Sequence, residues 1–166
     1  SESNEKGIDM NNAAHNLHQH IREQLGTIVF GMDRAIEHLV IAMIAGGIGI
    51  TLPIALLREL AARAQDGLPV PQVHLLLSIA RIADIPFLHE LLQLDLGTSW
   101  FTLTVFVTQE KIRESAHFKV GRPSFENMEQ LKDPQAVVIC GSHGFAQALR
   151  EYTIQAHPIS RMLIEA

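Results

Sequence analysis

Three short stretches hold residue types that could do chemistry on a small molecule. The first is Ala45-Gly46-Gly47-Ile48-Gly49-Ile50-Thr51, which joins two apolar runs; no charged residue occurs between Leu39 and Leu57. Glycines between a strand and a helix let backbone N–H groups approach a pyrophosphate closely, and the helix dipole favours its charge. The dinucleotide fingerprint G-x-G-x-x-G is broken because Leu52 follows, and no Gly-Lys-Ser/Thr completes a P-loop. A tight turn without a ligand is the bland alternative. The second is Arg81, just past the apolar run 72–78. An arginine at a strand end suits the 2′-phosphate of NADP, where Asp or Glu would suit the ribose hydroxyl of NAD; the alternative is a solvated surface arginine. The third is Cys140-Gly141-Ser142-His143-Gly144, where cysteine and glycine leave room for a flat ring beside the backbone. Cys140 reads equally as a small buried hydrophobe, and His143 has no partner that would make it a base. His15 and His18, at i and i+3 with His20 nearby, could share a metal, but no third ligand supports this and a polar helix is the better reading.

These stretches need a scaffold, and the composition limits its kind. The chain has 166 residues, 47% of them apolar and 19% charged, which is globular and sufficient for one core. A net charge of −5 argues against nonspecific binding to nucleic acid or anionic lipid. A single cysteine permits no intrachain disulfide and fits a reducing compartment. The N-terminus is polar and acidic and is no signal peptide. The uncharged run 39–57 is long enough to raise a membrane span. The glycines at its middle, Pro53 after them, and an amphipathic pattern of Ile54, Leu57, Leu60, Ala61 and Ala64 that continues past Arg58 favour a strand, a turn and a helix.

Along the chain, an apolar run without alternation predicts a strand buried on both faces at 39–45, a second apolar run a strand at 72–78, and aromatic and β-branched residues a third at 101–108, with a fourth strand at 136–140 and an edge strand at 161–164. Helical spacing predicts helices at 52–65, 85–94 and 144–152, a short helix at 125–131, a loop at 121–123 and a polar helix within 10–25. Strand and helix alternate about four times. The expected fold is therefore α/β, a doubly wound and mostly parallel five-stranded sheet with helices on both faces. Ligands in such sheets bind beyond the carboxyl ends of the strands, near the switch in strand order, which directs attention to 46–51, 78–81, 108–109 and 140–144.

In this order the pieces resemble the nucleotide domain of the ferredoxin–NADP reductase superfamily, and within it the ferric reductase and NADPH oxidase branch. The similarity rests on Ala45-Gly46-Gly47-Ile48-Gly49-Ile50-Thr51, Ser78-Ile79-Ala80-Arg81, the helix around Ile85-Pro86-Phe87-Leu88-His89-Glu90-Leu91, Val105-Phe106-Val107-Thr108, Gly121-Arg122-Pro123 and Val138-Ile139-Cys140-Gly141. It covers about residues 39–152. The resemblance implies that Gly46, Gly47, Gly49 and Thr51 line the pyrophosphate and nicotinamide, and that Arg81 and Arg122 favour the NADPH phosphate. It also places Cys140 and Gly141 beside the nicotinamide, with Glu165 near the flavin–nicotinamide site. Thr51, Cys140 and Glu165 are its catalytic-site candidates.

The same resemblance implies NADPH as cofactor and FAD on a separate domain of the same parent protein. With the residue-level readings above, the expectation is a domain without a metal, in contact with neither nucleic acid nor membrane, and cytoplasmic, with anchoring of the parent left open. Residues 39–166 would be the NAD(P)-binding domain and 1–38 an extension or the remnant of a joint, where Phe30-Gly31 lacks the family's proline. The chain departs from the pattern at Leu52, at Ser142 where proline is usual, in the extra residue before Arg81, and in having no aromatic after Glu165. No flavin motif is present. A non-catalytic nucleotide-sensing or interaction module on the same fold is the rival reading.

Overall fold

The computed structural model describes Gln19, Glu23 and residues 40–165 other than 86, 132–133, 135 and 158–160. The joint at Phe30-Gly31, the three histidines and most of the expected polar helix lie outside the described residues; Gln19 and Glu23 are helical and hydrogen-bonded to each other.

Six strands form one sheet: β1 (Val40–Gly46), β2 (Gln72–Ile79), β3 (Phe101–Val107), β4 (Phe118–Val120), β5 (Ala136–Cys140) and β6 (Arg161–Glu165). Their order is β4-β3-β2-β1-β5-β6, and every pairing is parallel. The helices are α1 (Thr51–Gln65), α2 (Leu88–Gly97), α3 (Phe125–Glu129) and α4 (His143–Ala156). The doubly wound α/β reading holds, with one correction to the count: the sheet has six strands rather than five. The addition, β4, has three residues and pairs only with β3, too short a run to show any periodicity.

The central strands β1 and β5 are apolar throughout because both their faces are covered. Ile41, Met43, Ala45, Val73, Leu75, Leu77, Leu103 and Val105 point into a core closed by Leu52, Leu56, Leu57 and Leu60 of α1 and Leu91 of α2. Ala42, Ile44, Leu76, Phe106, Val137 and Ile139 point the other way, into a smaller core closed by Met128 of α3 and Ala146 and Leu149 of α4. Successive side chains of a strand alternate between these cores, so a polar residue at either position would be stranded without a partner. Among the described residues no helix is long and apolar enough to cross a membrane.

Polar contacts tie the layers together. Arg58 on α1 donates to both carboxylate oxygens of Glu90 on α2, at 2.8 and 2.9 Å, and lies 5.3 Å from the Phe87 ring centroid. The guanidinium holds the Glu90 carboxyl below its ordinary range. On the opposite face, buried His157 at the end of α4 donates from Nε2 to the Met128 carbonyl at 2.6 Å, capping α3. Replacing His157 by alanine leaves that carbonyl without this donor and is expected to lower stability by about 1–3 kcal/mol. Urea unfolding checks it; an unchanged midpoint would show that the clasp contributes nothing.

Candidate functional site

The chain runs outward from β1 through β2 and β3 to β4, then returns to β5 on the other side of β1. The switch in strand order therefore lies between β1 and β5, whose last paired residues are Ala45 and Cys140. The loops after these strands diverge there and leave a crevice. A cleft of about 660 Å³ opens at this place. Its walls are Gly46 and Gly47 after β1, Ser78 to Ala80 at the end of β2, Thr108 after β3, Arg122 and Pro123 after β4, and Ser142, Gly144 and Phe145 at the start of α4. Ala148, Leu149 and Tyr152 continue the α4 wall.

Backbone hydrogen bonds hold the wall opposite α4. Thr108 N–H donates to the Ile79 carbonyl and Gln109 N–H to the Ala80 carbonyl, both at 2.9 Å, which extends the β2–β3 ladder past the strands. Gly121 N–H donates to the Val107 carbonyl at 2.8 Å, and Gly121 has φ +90°, a left-handed conformation that glycine adopts without steric cost. This turn brings Arg122 to the cleft above buried Pro123.

The three glycines after β1 serve three different ends. Gly47 has φ +58°, and a Cβ there would meet nothing within 4 Å. Its backbone faces open space at the cleft. Gly46 is crowded by a side chain, since an added Cβ would lie 3.0 Å from Cζ of Phe145. Gly49 is crowded by backbone: an added Cβ would lie 2.5 Å from the Cys140 carbonyl oxygen and 2.7 Å from the Gly141 nitrogen. Gly47 to Ile50 form one 3₁₀ turn that leads directly into α1 at Thr51. The turn is thus pressed against the end of β5, and Gly49 is the point of contact.

Of the residues singled out in the sequence, Gly46, Gly47 and Arg122 line the cleft. Gly49 lies behind its surface, against the backbone of Cys140 and Gly141, and Gly141 lies against the Phe145 ring and the Gly46 carbonyl. Cys140 is 1% exposed and sits in register with Ala45 on one side and Glu165 on the other. Thr51 is exposed in the first turn of α1 and does not line the cleft. Arg81 is also exposed and outside the lining; its N–H donates to Asp84 Oδ2 at 3.2 Å, and the next N–H, of Ile82, to Glu110 Oε2 at 2.9 Å. The carboxylates cap a 3₁₀ turn, Ile82–Asp84, which carries the chain from β2 to α2.

The α4 wall was not foreseen. Phe145, Ala148, Leu149 and Tyr152 recur at i, i+3, i+4 and i+7, the spacing of one helix face. That spacing announces an apolar face, and only the topology shows that its upper end borders a cleft.

Comparison with known proteins decides what kind of domain this is. Residues 43–151 match the family described as oxidoreductase NAD-binding domain. The chain belongs to that family. The match spans β1 from Met43, β2 to β5, α1, α2, α3 and α4 as far as Glu151, and so contains all of the cleft lining except Tyr152. Among solved structures, this NAD-binding domain is similar to the flavohemoglobin of Malassezia yamatoensis, at 27% identity and a TM-score of 0.63, over 76% of this chain and 31% of that one. It shares its fold with the cytochrome b5 reductase domain of Ulva prolifera nitrate reductase, at 18% identity and a TM-score of 0.65, over 76% and 49%. It also shares it with the Amycolatopsis cytochrome P450 reductase GcoB, at 18% identity and a TM-score of 0.61, over 76% and 37%. The chain spans less than half of the length of each of these structures. No curated protein matches it by sequence. These findings support the ferredoxin–NADP reductase superfamily and do not single out a branch within it.

Proposed function

We propose that this NAD-binding domain presents NADPH to FAD held on a separate flavin-binding domain of the same parent protein, as in the ferric reductase and NADPH oxidase branch. Electrons would then pass to haem, ferric iron or oxygen. The observation that carries this reading is the cleft at the strand-order switch, with the open backbone of Gly47 at one side and Arg122 at another. Its volume lies within the range of cofactor sites. The neighbouring Malassezia flavohemoglobin structure carries FAD and heme, which supports coupling to a flavin. The branch rests on the resemblance of Gly121-Arg122-Pro123 and Cys140-Gly141.

The residues fit a dinucleotide. Gly47, with no side chain and a left-handed φ, offers its peptide to a pyrophosphate at the end where α1 and α4 begin, and both helix N-termini favour an anion there. Arg122 supplies a cation for the 2′-phosphate, with exposed Arg81 as a second charge beyond the rim. Cys140, buried in the strand, would act by its small size rather than by its thiol, and together with Gly141 and Gly49 would shape the nicotinamide end from behind, with Thr51 reaching it only from outside the cleft lining. Glu165 is in register with Cys140 on β6 and would stand on the flavin side of that end. Bound NADPH would supply a hydride, while the chain's own residues bind, orient and exclude water. Residues 1–38 would be the extension or joint towards the flavin domain, and the domain would lie in the cytoplasm.

Calorimetry of the 166-residue chain with NADP⁺ tests the reading. Saturable binding of one nucleotide per chain is expected, with no NADPH-dependent ferric reduction until the flavin domain is restored. No heat and no saturation would favour the non-catalytic module; substantial ferric reduction by the flavin-free chain would contradict the assigned division of labour.

A further inference from the structure

We propose that Glu114 is a positioning residue for the cleft: its carboxylate stands in for a neighbouring strand beside β4 and so fixes the point from which Arg122 reaches the nucleotide. The proposal rests on the reading above that Arg122 meets the 2′-phosphate. Its starting point is the crossing from β3 to β4. These strands are parallel, and a parallel pair is ordinarily joined by about a dozen or more residues built around a helix. Here the crossing is residues 108–117, which form neither helix nor strand. Strand β4 has three residues and ends the strand order, so among the described residues its outer edge meets no further strand. Its inner edge is a regular ladder: Val105 N–H donates to the His117 carbonyl at 2.7 Å and Gly121 N–H to the Val107 carbonyl at 2.8 Å. The N–H groups of the alternate residues, Phe118 and Val120, face away from β3, where an edge strand ordinarily leaves them unpaired. Both are taken up by the end of the crossing. Phe118 N–H donates to Ser115 Oγ at 3.2 Å, Ser115 N–H donates back to the Phe118 carbonyl at 3.0 Å, and Val120 N–H donates to Glu114 Oε1 at 3.1 Å.

The Glu114 bond is the one that bears on the cleft. Val120 is the last residue of β4, Gly121 follows at φ +90°, and Arg122 is in the cleft lining. Glu114 holds the Val120 N–H from the outer edge and β3 holds the Gly121 N–H from the inner edge, so two successive peptides are fixed from opposite sides. Packing does little here, because Val120 is 52% exposed. Without Glu114 the last residue of a three-residue strand is held from one side alone, and Arg122 departs from a less certain place. The charge of Glu114 acts in the opposite sense. A carboxylate bonded two residues before Arg122 repels a phosphate, so a purely electrostatic role makes its removal favour NADP⁺. A positioning role makes its removal disfavour NADP⁺. The sign of the change separates the two.

Calorimetry of the full chain with NADP⁺ and with NAD⁺ gives the ratio of affinities. Glu114→Ala is expected to lower the preference for NADP⁺ about two- to fivefold, the scale of one exposed hydrogen bond. Glu114→Gln keeps an acceptor for the Val120 N–H and loses the charge, and is expected to hold the preference at or above that of the unmodified chain. Hydrogen exchange of the Val120 amide, followed by NMR without nucleotide, should quicken in Glu114→Ala and stay near its original rate in Glu114→Gln. A preference unchanged or raised in Glu114→Ala, an equal loss in both variants, or an equal weakening of NADP⁺ and NAD⁺ overturns the positioning role and leaves the nucleotide site standing. Val120 exchange alike in all three chains overturns the clasp itself. An unmodified chain that binds the two nucleotides equally removes the 2′-phosphate role of Arg122, and this proposal with it. No saturable binding of either nucleotide overturns the nucleotide reading and the proposal together.

Discussion

Gly49→Ala is expected to destabilise the domain by about 3 kcal/mol, at the upper end of what overpacking costs. The added Cβ would stand 2.5 Å from the Cys140 carbonyl oxygen, 2.6 Å from its carbon and 2.7 Å from the Gly141 nitrogen. All three are backbone atoms, so no side chain can rotate aside. The Ala45–Cys140 pairing fixes the end of β5 beside β1 four residues earlier, and α1 begins two residues later at Thr51. The turn can yield only by shifting a strand end or a helix. Such a loss is a large part of the 5–15 kcal/mol that domains have, and would lower Tm by roughly 6–12 °C. The control is Gly47→Ala, two residues away, where nothing lies within 4 Å and the cost is that of φ +58° alone, roughly 1–2 kcal/mol. Denaturant melts of both variants check the ordering; Gly49→Ala no worse than Gly47→Ala would mean that the turn does not press on β5.

The same contrast shows what the sequence could and could not tell. The cluster of glycines marked a turn, but their separate duties depend on what stands opposite each one, and those neighbours, Phe145 and Cys140, lie far along the chain on α4 and β5. Five of the strands were legible to within one residue, and 136–140 is reproduced as Ala136–Cys140, a strand buried along its whole length with no polar position to blur it. The helix expected at 85–94 begins later, at Leu88; a 3₁₀ turn, Ile82–Asp84, with its leading N–H groups capped by Asp84 and by distant Glu110, precedes it, and Ile85 after the turn is extended. Strand β4 was invisible for a similar reason. It follows from tertiary contacts at the edge of β3, where Val105 N–H meets the His117 carbonyl and Leu103 N–H meets the Asp95 carboxylate. Ser78, Thr108 and Ser142, at strand ends singled out in the sequence, line one cleft because a doubly wound sheet gathers its carboxyl ends at one edge wherever the loops go. The α4 face and the division between Arg81 and Arg122 needed coordinates.

That division yields the sharpest test of specificity. Arg122→Ala is expected to weaken NADPH binding by about 1–3 kcal/mol, or roughly 5- to 150-fold, through loss of a charge-assisted contact to the 2′-phosphate. NADH, which lacks that phosphate, should lose much less. Arg122 lines the cleft and follows a left-handed Gly121 that is hydrogen-bonded to the end of β3, so its starting point is fixed. Arg81 begins outside the lining, next to the Asp84 and Glu110 carboxylates that cap the adjoining turn, and these oppose a phosphate as much as the arginine attracts it. Arg81→Ala should therefore shift the NADPH-to-NADH ratio in the same direction but by less. Arg122→Lys should recover part of the ratio, since the charge returns without the planar fork. Raising the salt concentration should shrink the NADPH advantage of the unmodified chain towards that of Arg122→Ala, because an exposed charge pair is screened. If Arg122→Ala weakens both nucleotides equally, Arg122 serves the shared pyrophosphate. If Arg81→Ala has the larger selective effect, the 2′-phosphate lies beyond the rim, and the reach of the cleft past β2 must be redrawn.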